Sequence, residues 1–211
     1  MDFAQTPITF LLIAVNCIVS FLAFNNRDLM NKLVFHPVSV DKNKQWYRFI
    51  SSGFIHADVN HLLFNMLTLF FFGREIESVF TYANIGGQWG FLAFYLAAIA
   101  VSEIPSYLKH KTNPNYSSLG ASGAIAAVVF SLVLFNPWGI ILLKFIIPIP
   151  FILYAVGYVA YSSYMAKKGG DGIGHSAHLW GAIFGIVFLA AAYPTSLKIF
   201  MEQIVHPHFS L

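Results

Sequence analysis

The spacing of charged residues constrains this chain more than any other feature of its sequence. Five intervals between successive charged residues are each long enough to hold a membrane helix of about 20 residues. They are bounded by Asp2 and Arg27, Glu77 and Glu103, Lys111 and Lys144, Lys144 and Lys167, and Asp171 and Lys198. A sixth, shorter interval lies between Asp58 and Arg74. Because the bilayer interior selects long uncharged segments, the pattern predicts an all-α, polytopic membrane protein.

The overall composition agrees with this fold class. Only 10% of the residues are charged and 57% are hydrophobic, whereas soluble domains carry about 25% charged residues. These values exclude a water-soluble globular domain, a disordered chain and a nucleic-acid-binding module, so we expect no nucleic-acid partner. Cys17 is the single cysteine of the sequence, which excludes an intramolecular disulfide and a cysteine-based metal site.

Hydrophobic segments and turn residues predict six transmembrane helices in one domain that covers residues 1–211. The predicted helices span residues 7–24, 59–79, 89–108, 119–135, 139–165 and 175–193. The long first loop, residues 25–56, mixes aromatic with basic side chains, which is typical of a segment that lies in the membrane interface. Membrane lipid is therefore an expected partner, and no oligomeric state is predicted.

Three polar clusters stand near the starts of the second, fourth and sixth predicted helices. They are His61 with Asn65, the run Gly120-Ala121-Ser122-Gly123, and His178 with Gly181 and Gly185. Successive membrane helices alternate in direction, so these three starts lie on the same side of the bilayer. Small residues let membrane helices approach closely. We therefore expect Ser122 and His178 to come within hydrogen-bond reach.

A serine beside a histidine has the minimum requirement for nucleophilic acyl chemistry, because the hydroxyl needs a base that takes its proton. The oxyanion that develops needs hydrogen-bond donors placed in advance. The candidate donors are the Asn65 amide, a ring N–H of His61 and the backbone N–H of Ser122. With no carboxylate positioned as a third member, the sequence favours a Ser-His dyad that uses no metal or cofactor.

Each cluster also has a simpler interpretation when it is taken alone. A serine between glycines in a membrane helix often serves only helix packing, and an isolated Asn65 most often makes an interhelical hydrogen bond. The four histidines of these segments could instead ligate haem or relay protons. They are His56, His61, His175 and His178. The placement of all the clusters on one side of the membrane favours a common site.

Taken together, these residues resemble the rhomboid family of intramembrane serine proteases. The matching motifs are His56, His61 and Asn65 in HxxxxHxxxN, Gly120 to Gly123 as GxSG, and Ala177-His178 followed by Gly181 and Gly185. Tyr47-Arg48 stands where the family commonly has Trp-Arg. The resemblance extends from about Pro7 to about Tyr193.

The resemblance implies that Ser122 is the nucleophile and His178 the general base. It also implies that His61, Asn65 and the Ser122 backbone N–H form the oxyanion hole. Supporting roles are implied for His56, Gly120, Gly123, Gly181, Gly185 and Arg48. One departure is Ala126, because some members carry an aromatic residue four positions after the nucleophile that stacks on the catalytic histidine.

We therefore expect a serine endopeptidase that cleaves transmembrane segments of membrane proteins and lies in a prokaryotic plasma membrane. Two alternatives remain open: a non-catalytic relative that binds membrane proteins, and a membrane protein that handles haem or protons. Most Lys and Arg residues fall on the predicted active-site side, which indicates that this side is cytoplasmic. The resemblance implies the opposite orientation, with an outward-facing site.

Overall fold

The computed structural model describes residues 5–143, 146–169 and 173–207, which are mostly helical. The α-helices are α1 (Pro7–Phe24), α2 (Arg27–Leu33), α3 (Pro37–Asn43), α4 (Arg48–Ser51), α5 (Val59–Thr68), α6 (Arg74–Tyr82), α7 (Gly87–His110), α8 (Ser122–Ser131), α9 (Phe151–Lys168), α10 (His175–Ala192) and α11 (Thr195–Val205). Two 3-10 turns, Ser52–Phe54 and Leu132–Leu134, follow α4 and α8. Both ends of the predicted 1–211 domain lie outside the described residues.

Three helices in the described part of the chain are long and apolar enough to cross a membrane. They are α1, α7 and α10. A shorter apolar helix covers Ser122–Leu134, where the sequence predicts a helix over 119–135. Of the six predicted membrane crossings, three are therefore matched by a described helix of sufficient length and apolar composition. The second predicted helix is not among them because the structure divides it into short helical pieces, of which α5 has 10 residues and α6 has 9.

The second predicted helix exists as a chain of three helical pieces. A π-helical turn, Leu69–Gly73, joins α5 to α6 without a break in the helical path. At its far end Glu77 is fully buried and accepts hydrogen bonds from the backbone N–H groups of Ile8 and Thr9, at 2.9 and 2.8 Å, and from the Thr9 hydroxyl at 2.8 Å. Glu77 therefore satisfies the free N–H groups that begin α1.

The predicted fifth helix over residues 139–165 is wrong over nearly its first half, residues 139–150. The chain there forms an antiparallel hairpin of β1 (Ile140–Leu143) and β2 (Ile147–Pro150), and α9 begins only at Phe151. Residues 144–145 of the predicted helix lie outside the described residues. Pro148 and Pro150 explain the correction, because proline disfavours the α conformation in the residue before it and has no N–H for a helix.

The interior is built around α8. Every residue from Gly123 to Leu134 is buried, and α10 and α7 both pack against this helix. Stacked and tilted aromatic rings extend the core along α7 and α10, with Phe94 lying 5.0 Å from Phe188 and 5.7 Å from Phe184 between ring centroids. A short helix enclosed on all sides thus carries Ser122 at its first position.

Candidate active site

Ser122 and His178 form a direct hydrogen bond. The Ser122 Oγ lies 2.6 Å from the His178 Nε2, although 56 residues separate them in sequence. Ser122 is the first residue of α8, and His178 lies in the first turn of α10. The hydroxyl can therefore donate to an unprotonated Nε2, which is the arrangement in which a histidine takes a proton from serine.

Two glycines of α10 explain how the pair comes together. A β-carbon on Gly181 would overlap the carbonyl oxygen of Gly123, and one on Gly185 would overlap that of Ala127. The backbones of α8 and α10 are therefore in direct contact over two turns. This contact, which small residues permit, fixes the distance between the helix that carries Ser122 and the helix that carries His178.

His61 and Asn65 extend from the first two turns of α5 toward the same place. The Asp58 carboxylate caps α5 by accepting the backbone N–H of His61 at 2.9 Å. The Ala57 backbone N–H lies 3.5 Å from the His61 Nδ1 and donates to it. Since Nδ1 accepts, the ring proton of a neutral His61 lies on Nε2.

Gly120 lies between the His61 ring and Ser122. A β-carbon there would be 2.9 Å from the His61 Nε2 and 3.8 Å from the Ser122 Oγ, and the residue has a φ of +117°. Only glycine adopts this conformation readily. The missing side chain leaves a small space between the His61 Nε2 and the Ser122 Oγ.

Asn65 and the start of α8 supply two further candidate donors. The Asn65 Nδ2 is buried and makes no hydrogen bond within the described part of the chain. The Ser122 backbone N–H begins α8, so helix geometry offers it no carbonyl partner. These groups, with the His61 ring, are donors suited to an oxyanion near the Ser122 Oγ.

His56 lies behind His61, away from the cavity wall. It is fully buried, its Nδ1 lies 2.9 Å from the Ser20 hydroxyl, and its ring centroid lies 5.0 Å from that of His61. Because Ser20 also donates to the Phe54 carbonyl at 3.2 Å, its oxygen accepts the proton of the His56 Nδ1. Burial, followed by the neighbouring His61, lowers the pKa of His56 to about 3, so this histidine is neutral near pH 7.

Arg48 belongs to the first loop and does not line the cavity. Its guanidinium is buried and donates to the Gln45 side chain at 2.6 Å and to the Asn31 and Val34 carbonyls at 2.8 and 2.6 Å. These bonds tie α2 to α4. Among the predicted supporting residues, Arg48 therefore stabilises the loop and contributes no group beside Ser122.

The pair opens onto a cavity of about 930 Å³. Its lining includes Ser122, His178, His61, Asn65, Gly120 and Gly123. No group of three or more His, Cys, Asp or Glu side chains that could hold a metal ion occurs within the described ranges. The cavity thus brings together residues from all three predicted polar clusters.

Glu103 also lines this cavity and is absent from the predicted site residues. It is 7% exposed, and its Oε1 accepts the Ser118 hydroxyl at 2.6 Å. Ser118 in turn pairs with Phe35 through two backbone hydrogen bonds, so Glu103 anchors the segment that leads to Gly120. The sequence signal was an ionisable residue inside an otherwise apolar helix, which marks functional positions in membranes.

A ring from α9 packs on the candidate base. The Tyr158 centroid lies 6.4 Å from that of His178, with 24° between the planes. Ala126, which stands one turn after Ser122 on α8, carries no ring, so the aromatic neighbour of His178 comes from a different helix. Tyr158 is likewise absent from the predicted site residues, because a tyrosine in an apolar helix gives no signal in the sequence.

A comparison with protein families matches the rhomboid domain model to residues 43–195. The chain belongs to the rhomboid family. This match confirms the resemblance predicted from the sequence. The rhomboid chain is 30% identical over 181 residues to RHOMBOID-like protein 12, mitochondrial, of Arabidopsis thaliana, covering 78% of this chain and 51% of that protein. It is 33% identical over 144 residues to the human Presenilin-associated rhomboid-like protein, mitochondrial, and the alignment covers 65% of this chain and 36% of that protein.

The relatives correct the predicted location. The Danio rerio Presenilin-associated rhomboid-like protein A, 32% identical over 149 residues, is also named mitochondrial, and the alignment covers 66% of this chain and 36% of that protein. The prediction of a prokaryotic plasma membrane is therefore wrong, because these plant and animal relatives are mitochondrial by name. The rhomboid chain spans between about a third and a half of the length of these relatives.

Proposed function

We propose that this rhomboid is a serine endopeptidase that cleaves transmembrane segments of other proteins within a mitochondrial membrane. The observation that carries the proposal is the 2.6 Å separation of the Ser122 Oγ and the His178 Nε2 in a cavity that His61 and Asn65 also line. Six membrane crossings are part of the proposal: α1, the α5 to α6 segment, α7, α8, α9 and α10. The location rests on the names of the relatives.

The first chemical step is acyl transfer to serine. The Ser122 proton passes to the His178 Nε2 as Oγ attacks the carbonyl carbon of the scissile amide. The resulting tetrahedral oxyanion accepts hydrogen bonds from the Asn65 amide, the His61 Nε2 and the Ser122 backbone N–H. The C–N bond then breaks, and the leaving amine takes the proton from His178.

Water completes the second step. His178 removes a proton from water as the oxygen attacks the acyl carbon, and the same oxyanion donors act again. The C–O bond to Ser122 then breaks, the serine recovers its proton from His178, and the new carboxyl product leaves. The reaction requires no metal ion or cofactor, because every proton passes through one histidine.

The membrane setting defines the class of substrate. The backbone amides of a regular helix are hydrogen-bonded within that helix and are shielded by it. The substrate segment must therefore unwind before Ser122 can reach a carbonyl carbon. Helix-breaking or small residues lower the cost of unwinding, with glycine favouring it by about 1 kcal/mol relative to alanine. We expect cleavage near such residues.

The decisive experiment uses purified full-length protein in detergent with a model transmembrane substrate. The parent should cleave the substrate, and a fluorophosphonate should label Ser122. Ser122→Ala and His178→Ala should abolish both signals, because each removes a group needed in the same step. Ser117→Ala, a serine that lines the same cavity, is the matched control and should retain both.

Two outcomes would favour other functions, and a third would contradict the serine mechanism. A folded parent that binds the substrate without cleaving it would favour the non-catalytic alternative. A Soret band that requires His61, with no dependence on Ser122, would favour haem binding. Cleavage that persists in Ser122→Ala would refute the serine mechanism.

A further inference from the structure

The imidazole of His178 is enclosed by aromatic rings on two sides. Tyr158 on α9 faces it at 6.4 Å and 24°, and His175 on α10 meets it edge-on at 6.1 Å and 73°. Tyr158 also packs against α8, because its ring centroid lies 4.9 Å from that of Phe130. Tyr158 therefore packs against both the core helix and the candidate base.

The same face of α9 supplies rings to both histidines of α10. Tyr158 and Tyr161 are three residues apart, as are His175 and His178, so each tyrosine meets one histidine when the helices pack side by side. Tyr161 lies 5.4 Å from His175 in an edge-to-face arrangement. The pairing is thus a register match between two helices.

We propose that Tyr158 is a positioning residue for the general base. Its ring keeps the His178 imidazole in the orientation that aims Nε2 at the Ser122 Oγ. The proposal rests on the proposed protease function and adds a residue on a helix that carries neither the nucleophile nor the oxyanion donors.

The physical basis is the rotational freedom of a histidine that borders a cavity. His178 is only partly buried, and its hydrogen bond to Ser122 is lost if the ring turns away. A ring pair at offset-stacking distance favours one imidazole plane. A misplacement of about 1 Å can cost on the order of 10²-fold in rate, so a modest restraint on the ring has a large effect on catalysis.

The test compares Tyr158→Leu, Tyr158→Phe and Tyr154→Leu. Tyr154 lies one turn earlier on α9, and its ring packs 5.7 Å from Tyr158 and 5.9 Å from Phe130, so its loss matches the packing change at Tyr158. The fluorophosphonate labelling rate measures activation of Ser122 by His178 without a protein substrate. Values of kcat and KM and the thermal stability of each variant are measured in parallel.

Tyr158→Leu should lower the labelling rate and kcat by about 10- to 100-fold, with KM within about twofold of the parent. Tyr158→Phe should stay near the parental rate, because the ring remains. Ser122 in Tyr154→Leu should be labelled at the parental rate, even if the thermal stability of this variant falls as much as that of Tyr158→Leu.

Parental labelling by Tyr158→Leu would overturn the inference while leaving the protease function intact. An equal loss in Tyr154→Leu would overturn it too, since general packing of α9 would then explain the effect. A loss in Tyr158→Phe as large as in Tyr158→Leu would overturn the role of the ring in favour of the hydroxyl. A parent that neither labels nor cleaves would overturn the proposed function and this inference together.

Discussion

Gly181 lies directly against Gly123, so that a single added β-carbon on α10 would overlap the carbonyl oxygen of Gly123 on α8. Gly181→Ala should therefore push the two helices apart. We expect a loss of about 1–3 kcal/mol in the free energy of unfolding and a fall in kcat on the order of 10²-fold. Thermal unfolding and proteolysis in detergent measure the two effects.

Gly157→Ala is the matched control for this change. Gly157 is an exposed residue within α9, and a β-carbon there would meet no described atom within 4 Å. The substitution should raise stability by about 0.5–1 kcal/mol through helix propensity and leave activity unchanged. If Gly181→Ala behaved as Gly157→Ala does, the direct contact of α8 with α10 would not be needed for catalysis.

Asn65→Ala should lower kcat by about 10²-fold or more with little change in KM, because an oxyanion donor acts mainly in the transition state. The buried Nδ2 of Asn65 has no protein partner in the described residues, so its removal breaks no hydrogen bond made by that nitrogen in the resting site. Steady-state kinetics with a transmembrane substrate provide the measurement.

Thr68→Ala serves as the control for the Asn65 variant. Thr68 stands three residues further along α5, and its hydroxyl donates to the Phe64 carbonyl of its own helix. This variant should retain the parental kcat. A rise in KM at constant kcat in Asn65→Ala would instead assign Asn65 to substrate binding.

Glu77→Ala should destabilise the protein without changing its chemistry. The carboxylate accepts three hydrogen bonds at the start of α1, at the end of the α5 to α6 segment that lies furthest from His61. Hydrogen bonds to charged groups contribute about 1.5–3 kcal/mol each, so the loss should exceed about 2 kcal/mol. Thermal unfolding should show this loss, while the labelling rate of the protein that stays folded should equal that of the parent.

Glu75→Ala is the comparison for Glu77. Glu75 lies on the same helix but is exposed, so its removal should change the melting temperature little. Similar losses in the two variants would contradict the role of Glu77 as the cap of α1.

Stability should decline in acid partly because of His56. Its pKa in the folded state is lowered to about 3, whereas an unfolded histidine titrates near 6.5. Below about pH 6.5 the unfolded state binds a proton that the folded state does not. The free energy of unfolding therefore decreases as the pH is lowered from about 6.5 to about 3, by up to about 1.4 kcal/mol per pH unit.

The measurement is the slope of the melting temperature between pH 7 and pH 5. The parent should show a steeper slope than His56→Gln, whereas His206→Gln, which changes an exposed histidine beyond α11, should keep the parental slope. Equal slopes in the parent and His56→Gln would mean that other groups determine the acid sensitivity.

Much of the fold follows from the sequence because hydrophobic length and turn residues determine where membrane helices begin and end. The predicted bounds of α1 and α10 agree with the structure to within one residue. The hairpin before α9 was signalled by Pro148 and Pro150, whose restriction of the preceding residue outweighs the apolar character of the segment.

The candidate site is less completely determined by sequence patterns. Ser122 and His178 stand next to glycines whose spacing indicates close packing, and this local signal is readable. The contributions of Glu103 and Tyr158 depend on which face of α7 and α9 is turned toward α8 and α10. That choice is made by tertiary packing, which no local pattern in either helix specifies.

The π-helical turn between α5 and α6 contains one extra residue, and this residue sets the rotation of α6 about the helix axis relative to α5. A π turn holds about one residue more than a regular α-helical turn, so side chains beyond it are rotated by about 100° relative to those before it. Asn65 before the turn and Glu77 after it are both buried. Deleting one residue within Leu69–Gly73 would restore a regular helix and swing Glu77 away from Thr9, while His61 and Asn65 kept their places. The angle of this turn, rather than the length of the helix, lets one segment contribute donors to the cavity at one end and a cap for α1 at the other.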